Sequence, residues 1–199
     1  MRKLIAAAFV SLDGVMQAPG GPEEDPSGGF GFGGWTVPYW AEGTEPFMGI
    51  FEEPFDLLLG RKTYDIFAAY WPNHLEIPIG PLFNRVTKYV VTATPNTLEW
   101  VNSVGLPGDV SAEIGALKTG DGPPLLTQGS SVLLHALLEH DLIDELRLMT
   151  FPVVLGGGKR WFGERSQPAA FVLDKRQIDE AGVVSAIYRR NGEVKTGSF

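Results

Sequence analysis

Two glycine-initiated turns contain the residue types suited to binding an anion. Gly60-Arg61-Lys62-Thr63 lies where an apolar strand is expected to end and a helix to begin, and Gln128-Gly129-Ser130-Ser131 repeats this pattern further along the chain. A helix N-terminus presents free backbone N–H groups and the positive end of its dipole, and glycine lets a phosphate approach the backbone. The basic pair and the hydroxyls add further donors. The spacing therefore predicts two anion sites.

Two such turns at nearby ends of parallel strands suit the separated phosphates of a dinucleotide. Neither turn has the G-x-G-x-x-G or the G-x-x-x-x-G-K-[ST] pattern. The alternative is that both are ordinary strand-to-helix turns, with Thr63 as an N-cap and the basic pair in solvent. A third glycine-rich segment, Leu155-Gly156-Gly157-Gly158-Lys159, is either another anion loop or a plain strand-end loop.

An α/β sheet is needed to position these turns. Apolar runs predict buried strands at 4–10, 55–60 and 124–128, and the sequence also predicts a strand at 88–92 and a short further strand at 98–101. Helical patterns follow at 63–70, 109–117 and 132–140, and a weaker one covers 39–51. The last third alternates polar and apolar residues over 145–151, 169–178 and 183–189. The expected fold class is α/β, a mostly parallel sheet with an antiparallel hairpin at one edge.

A long loop separates the first strand from the rest. Residues 19–34 hold seven glycines, three prolines and no basic residue. Loops of this length are usually functional lids or disordered insertions. The aromatic residues Phe30, Phe32 and Trp35 favour a mobile lid, because they give the loop apolar side chains that can become buried.

Composition excludes several classes of function. Among 199 residues, 16 Lys+Arg against 24 Asp+Glu give a net charge of −8, which disfavours nucleic acids and anionic membranes as partners. The chain has no cysteine and only three histidines, two of them off a shared helical face, so no metal site is expected. No apolar stretch approaches the ~18 residues of a membrane span. We expect one domain over 1–199 in a cytoplasmic protein.

Five segments together resemble a known family. FVSLDGVM (9–16), DLLLGRKTYDIF (56–67), YVVTATP (89–95), LLTQGSSVLLHALLEHDLIDELRL (125–148) and PVVLGGGKRWF (152–162) occur in this order. The chain resembles the dihydrofolate reductase-like superfamily, most closely the branch similar to the reductase domain of the bifunctional riboflavin biosynthesis deaminase-reductase. That resemblance implies a three-layer α/β/α fold with a mixed sheet of about eight strands.

The resemblance also implies a cofactor and a reaction. It implies an NADPH-dependent reductase of a small planar heterocycle, pterin-like or aminopyrimidine-like, similar to 5-amino-6-(5-phosphoribosylamino)uracil reductase, and a homodimer. We expect the exposed side of the antiparallel edge and the apolar segment 149–155 to form the self-complementary surface of that dimer. The alternatives are a dihydrofolate reductase, a catalytically silent NADPH-binding protein, and an interaction domain. The implied cofactor residues are Gly60, Arg61, Lys62, Thr63, Thr92, Thr94, Gln128, Gly129, Ser130, Ser131 and Val132.

Hydride transfer also requires a proton source and a wall on which the ring can stack. Asp13 is the first candidate for a proton donor or orienting acid, and Glu45 is the second. The alternatives are a turn residue for Asp13 and an exposed helix carboxylate for Glu45. The candidate wall consists of Trp35, Trp40, Phe47 and Phe51, which core or lid packing would explain equally well.

The chain departs from the riboflavin enzymes at two positions. Val15 stands where those enzymes typically have a basic residue, and Gln128-Gly129-Ser130-Ser131 replaces their Glu-Gly-Gly-Gly. Both departures disfavour a phosphoribosyl substrate.

Overall fold

A single mixed sheet forms the centre of the molecule. The computed structural model describes residues 1–40, 47, 49–164 and 166–198. Its strand order is β4-β3-β2-β5-β1-β6-β8-β7. The strands are β1 (Leu4–Ser11), β2 (Asp56–Gly60), β3 (Lys88–Val91), β4 (Ser103–Leu106), β5 (Leu125–Gln128), β6 (Glu145–Phe151), β7 (Phe171–Ile178) and β8 (Val184–Arg190).

Four α-helices are described, α1 (Arg61–Tyr70), α2 (Ile79–Arg85), α3 (Val110–Thr119) and α4 (Ser131–Glu139). The strands from β4 to β6 pair in parallel, whereas β8 pairs antiparallel with both β6 and β7. The predicted mixed α/β sheet with an antiparallel C-terminal hairpin is thus confirmed.

The apolar run of β1 explains its central position. β1 lies between β5 and β6, and six of its first seven side chains are at most 7% exposed. A strand that is covered on both faces needs a continuous run of apolar residues, and β1 is apolar from Leu4 to Val10. The helices supply the cover, with α1 and α2 packed on the face of Leu57 and Leu59, and α3 and α4 on the face of Leu58 and Leu125.

The sequence prediction and the structure differ at two elements. The strand predicted at 98–101 is wrong, because β4 lies at Ser103–Leu106, after a turn in which Asn102 has a φ of 60°. Helix α2 was not predicted, since Gly80 and Pro81 in its first turn are typical of loops. Lys88 stabilises this short helix by donating hydrogen bonds to the carbonyls of Phe83, Asn84 and Val86 at 2.7, 3.1 and 2.9 Å.

The helix predicted over 39–51 lies largely outside the described residues. Short 3₁₀ turns flank the gap at Val37–Tyr39 and Gly49–Phe51. No helix of the described part of the chain has both the length and the apolar character to cross a membrane.

The antiparallel edge of the sheet is exposed to solvent. Among the described strands β7 pairs only with β8, and its Val172, Leu173 and Ile178 are 49%, 42% and 64% exposed. The sequence also suggested the segment 149–155 as a self-complementary surface. That part of the prediction is wrong for Met149 and Phe151, which lie in the core, whereas Val154 is 67% exposed.

Candidate active site

The two predicted anion turns meet at one edge of the sheet. β2 and β5 are neighbours and run in parallel, so their carboxyl ends place Gly60 and Ser130 side by side. A Cβ atom added to Gly60 would lie 2.0 Å from Ser130 Oγ and 2.8 Å from Ser130 Cβ. Only glycine permits this approach. The N-termini of α1 and α4 therefore open onto the same crevice.

The second turn has a strained backbone. Gly129 and Ser130 have φ angles of 76° and 66°, in the left-handed region that a serine seldom adopts. The Ser130 side chain makes no capping hydrogen bond to α4, and Val132 in the first turn is 82% exposed. Strain of this kind occurs preferentially at functional sites. The turn thus leaves the first N–H groups of α4 available to an anion.

Arg61 forms a cluster with two threonines at the end of the neighbouring strand. Its Nη1 donates hydrogen bonds to Thr94 Oγ1 at 2.9 Å and to Thr97 Oγ1 at 2.6 Å, and its Nε donates to Asp65 Oδ1 at 2.8 Å. Thr92 Oγ1 lies 3.2 Å from Thr94 Oγ1. We call Arg61, Thr94 and Thr97 the Arg61 cluster. A guanidinium flanked by two hydroxyls has the donors that bind a phosphate monoester.

Lys62 and Thr63 do not join that cluster. The Lys62 ammonium donates to Asp25 Oδ1 at 2.5 Å and to Ser27 Oγ at 3.2 Å, both in the loop 19–34. Thr63 is buried in the third position of α1 and is not its N-cap, because Gly60 holds that position. Lys62, one of the implied cofactor residues, therefore directs its side chain to the loop 19–34.

The Asp13 carboxylate anchors the loop that follows β6. Asp13 Oδ1 accepts hydrogen bonds from Ser11 Oγ at 2.6 Å and from the Leu155 N–H at 3.1 Å, and Oδ2 accepts from the Gly156 N–H at 2.9 Å. The pKa of Asp13 is lowered to about 2, first by the hydrogen bond from Ser11, which outweighs the opposite effect of burial, and further by the hydrogen bonds from the two N–H groups. At neutral pH this group has no proton to donate. Its geometry supports an orienting role for Asp13.

Further contacts join the loop 19–34 to the loop after β6. Gln17 Nε2 donates to the Asp25 and Ser27 carbonyls at 2.8 and 2.9 Å, and Gln17 Oε1 accepts from the Lys159 N–H at 3.0 Å. A cavity of about 390 Å³ lies between residues 27–32 and 157–159. Phe30 and Phe32 line this cavity, in an edge-to-face contact with each other.

The predicted aromatic wall is mostly core. Trp35 and Phe47 are 7% and 3% exposed and pack with Phe51 in the core. Trp40 alone remains accessible at 46%, with its ring edge-on to Phe9 and Phe151. Glu45, the second acid candidate, lies outside the described residues.

Thr97 and Asp25 are among the site residues that were not identified from the sequence. Thr97 follows Thr94 by three positions across the 3₁₀ turn Pro95–Thr97, a spacing that puts both hydroxyls on one side. Asp25 is one of three successive acidic residues in the loop 19–34, and nothing in the sequence distinguishes it from Glu23 and Glu24. Its role depends on contacts with Lys62 and Lys159, which are distant in sequence.

Comparisons with known proteins agree with this architecture. The uncharacterized Bacillus subtilis protein YyaP is 27% identical over 198 residues, covering 96% of both chains. A candidate riboflavin biosynthesis protein from Shewanella sp. PV-4 has a similar structure, with a TM-score of 0.70, 23% identity, and coverage of 95% of this chain and 99% of that one. The dihydrofolate reductase from Enterococcus faecalis, solved with NADP(H), has a TM-score of 0.55 and 19% identity, with coverage of 95% and 96%.

The structural neighbours confirm the predicted dihydrofolate reductase-like fold. The model of the RibD C-terminal domain family matches residues 2–185, so nearly the whole chain is matched. The match includes both glycine turns, the Arg61 cluster and the Asp13 anchor. This chain therefore belongs to the RibD C-terminal domain family.

Proposed function

We propose that this protein is an NADPH-dependent reductase that transfers a hydride to a small planar heterocycle, pterin-like or aminopyrimidine-like. The observation that supports this most strongly is the Arg61 cluster beside two adjoining helix N-termini. The Arg61 cluster forms a site for a phosphate monoester, and the backbone N–H groups of the two helix N-termini form a second, separate site. The 2′-phosphate and the pyrophosphate of NADPH require that separation.

The residues present fit this cofactor. Arg61, Thr94 and Thr97 would hold the 2′-phosphate, and Thr92 would border the adenosine. The turns at Gly60 and at 128–132 would hold the pyrophosphate through backbone N–H groups, with hydroxyls from Ser130 and Ser131. The absence of a Cβ at Gly60 and the left-handed backbone of Gly129 and Ser130 keep this surface open. When bound, NADPH supplies the hydride.

The chain's own contribution to the reaction is placement. Asp13 fixes the backbone of residues 155–156 against the end of β1, next to the cavity between residues 27–32 and 157–159. Phe30 and Phe32 give that cavity an apolar wall for a flat ring. A lid function for the loop 19–34, a proton-donor role for Glu45 and a cytoplasmic location stay predictions.

A homodimer formed through the β7 edge is part of the proposal. An edge strand presents unpaired N–H and C=O groups, and exposed Val172, Leu173 and Ile178 add apolar surface. A second copy of the chain would cover both through a two-fold contact.

One observation favours the catalytically silent alternative. Asp13 is ionised and its oxygens are occupied, so it lacks the proton that reduction of a C=N bond requires. Deuterium transfer separates the alternatives. We expect NADPH deuterated at C4 of the nicotinamide to pass its label to one member of a panel of pterins, dihydrofolate and aminopyrimidines, as detected by mass spectrometry.

Label transfer to dihydrofolate alone would establish the dihydrofolate reductase alternative. Cofactor binding without label transfer to any compound would favour the silent binding protein. If Arg61→Ala and Ser130→Ala leave all cofactor binding unchanged, the chain is an interaction domain.

A further inference from the structure

A carboxylate from the loop 19–34 lies between two lysines beside the candidate substrate cavity. Asp25 Oδ1 accepts a hydrogen bond from Lys62 Nζ at 2.5 Å, and Asp25 Oδ2 accepts one from Lys159 Nζ at 2.5 Å. Ser27 Oγ donates to Asp25 Oδ1 at 2.6 Å. We call Asp25, Lys62 and Lys159 the Asp25 triad. It joins the first turn of α1, the loop after β6 and the loop 19–34.

The triad is a filled anion site. Each carboxylate oxygen of Asp25 has its own ammonium group, a hydroxyl completes the set, and Asp25 is only 9% exposed. Two ammonium groups and a hydroxyl converging on paired oxygens would equally bind a phosphate monoester. Here the negative charge comes from the same chain, at the high effective concentration of an intramolecular group. A free phosphate would therefore have to displace it.

The electrostatics keep the triad charged. Burial alone would raise the pKa of Asp25, but the hydrogen bonds from Lys159, Lys62 and Ser27 outweigh it and hold that pKa below its ordinary value. The same contact with Asp25 raises the pKa of Lys62. The Asp25 carboxylate is thus ionised across the physiological pH range, with one ammonium group bound to each of its oxygens.

The adjoining cavity offers a ligand no ammonium group that is not already bound to Asp25. Among the described residues that line it, Lys159 is the only basic one, and its ammonium is bound to Asp25. The other lining residues are glycines, two phenylalanines, Gln17 and Ser27. These groups suit an uncharged ring that stacks on phenyl groups and hydrogen-bonds to amide groups.

We propose that Asp25 determines the substrate class by occupying the place where a substrate phosphate would bind, so that the hydride acceptor is an uncharged planar heterocycle without a phosphate. This inference rests on the proposed reductase function. It assigns to Asp25 a specificity-determining role, and to Lys62 and Lys159 the role of holding it.

Calorimetric titration with ribose 5-phosphate tests the proposal, with ribose as the probe that lacks the phosphate. Four proteins are compared, the wild type, Asp25→Asn, Lys159→Met and the double variant, with Asp174→Asn as a control that removes a carboxylate paired with Arg189 on the exposed edge. Each protein is titrated twice, once with saturating NADPH and once without cofactor in an Arg61→Ala background. The Arg61 cluster cannot bind the probe in either titration, because NADPH occupies the cluster in the first and the guanidinium is absent in the second.

We expect Asp25→Asn to bind ribose 5-phosphate at least about tenfold more tightly than the wild type, with no change for ribose. The double variant, which combines Asp25→Asn with Lys159→Met, should lose this gain in affinity for ribose 5-phosphate. The control Asp174→Asn should bind ribose 5-phosphate no more tightly than the wild type. The proposal is overturned if Asp25→Asn gains no affinity, or if the wild type binds ribose 5-phosphate and Lys159→Met abolishes that binding. The second result uses only the wild type and Lys159→Met, so it can be obtained even if the Asp25 variants do not fold. Failure of NADPH to bind would instead contradict the reductase function, and the cofactor-free series would still decide the role of Asp25.

Discussion

Replacing Arg61 with alanine should convert a preference for NADPH into indifference between NADPH and NADH. Arg61 holds Thr94 and Thr97 at 2.9 and 2.6 Å from its Nη1, in the geometry that a 2′-phosphate would share. NADH lacks that phosphate. Removal of the guanidinium should therefore weaken NADPH binding selectively.

The magnitude follows from the geometry and the exposure of the side chain. A hydrogen bond to a charged group contributes about 1.5–3 kcal/mol. The Arg61 side chain is 35% exposed, so solvent screening places the loss toward the lower end, at about 1.5–2 kcal/mol. That corresponds to a roughly 10- to 30-fold increase in the Kd for NADPH.

Isothermal titration calorimetry of the wild type and Arg61→Ala with each cofactor measures this effect. Arg176→Ala, which removes an arginine from the exposed strand β7, is the matched control and should leave both affinities unchanged. Raising the salt concentration should narrow the gap between the wild type and Arg61→Ala for NADPH, because screening weakens the lost interaction. Equal weakening of NADPH and NADH, or an unchanged Kd for NADPH, would refute the assignment of the Arg61 cluster.

Three further predictions concern stability and assembly. Gly60→Ala places a Cβ 2.0 Å from Ser130 Oγ, so we expect a loss of about 1–3 kcal/mol in the free energy of unfolding and weaker NADPH binding; an unchanged Tm would show that the two turns do not touch. Asp13→Asn should destabilise the protein by about 1–2 kcal/mol at pH 7. Because the folded-state pKa of Asp13 is lowered from 3.8 to about 2, its contribution is complete above pH 3.8, and the gap to the wild type should close as the pH falls from 3.8 to 2. Denaturant unfolding across that range checks this, with the exposed Asp121→Asn as control, and a gap that persists at pH 2 would contradict it. Multi-angle light scattering should give twice the 21.6 kDa chain mass, and a β7 variant with Val172→Lys and Ile178→Lys should be monomeric; a monomeric wild type would exclude the dimer.

Local patterns were sufficient to predict most of the sheet. β1 is buried on both faces, and its sequence is a continuous apolar run. α4 is buried on one face, and its leucines recur four residues apart as Leu133/Leu137 and Leu134/Leu138. The helix α2 escaped prediction because its stability depends on tertiary contacts. The fully buried Lys88 donates hydrogen bonds to three carbonyls at the C-terminal end of α2. No periodicity in residues 79–85 encodes that contact.

The candidate site was predictable where it depends on backbone and not where it depends on long-range side-chain partners. Glycine at a strand end indicated both turns, because close approach and left-handed backbone require it. The partners of Lys62 could not be predicted, since Asp25 lies 37 residues away and reaches it only when the loop 19–34 folds back. The same is true of Asp13, whose two N–H donors lie more than 140 residues away in the loop after β6.

The decisive experiment for the proposed reductase function is titration of the purified wild type with NADPH and, separately, with NADH. We expect saturable binding of one NADPH per chain, tighter than NADH by the roughly 10- to 30-fold that the Arg61 cluster contributes. Binding of neither cofactor would contradict the proposed function, and the glycine turns at Gly60 and Gly129 would then be sites for a different anion or architecture alone.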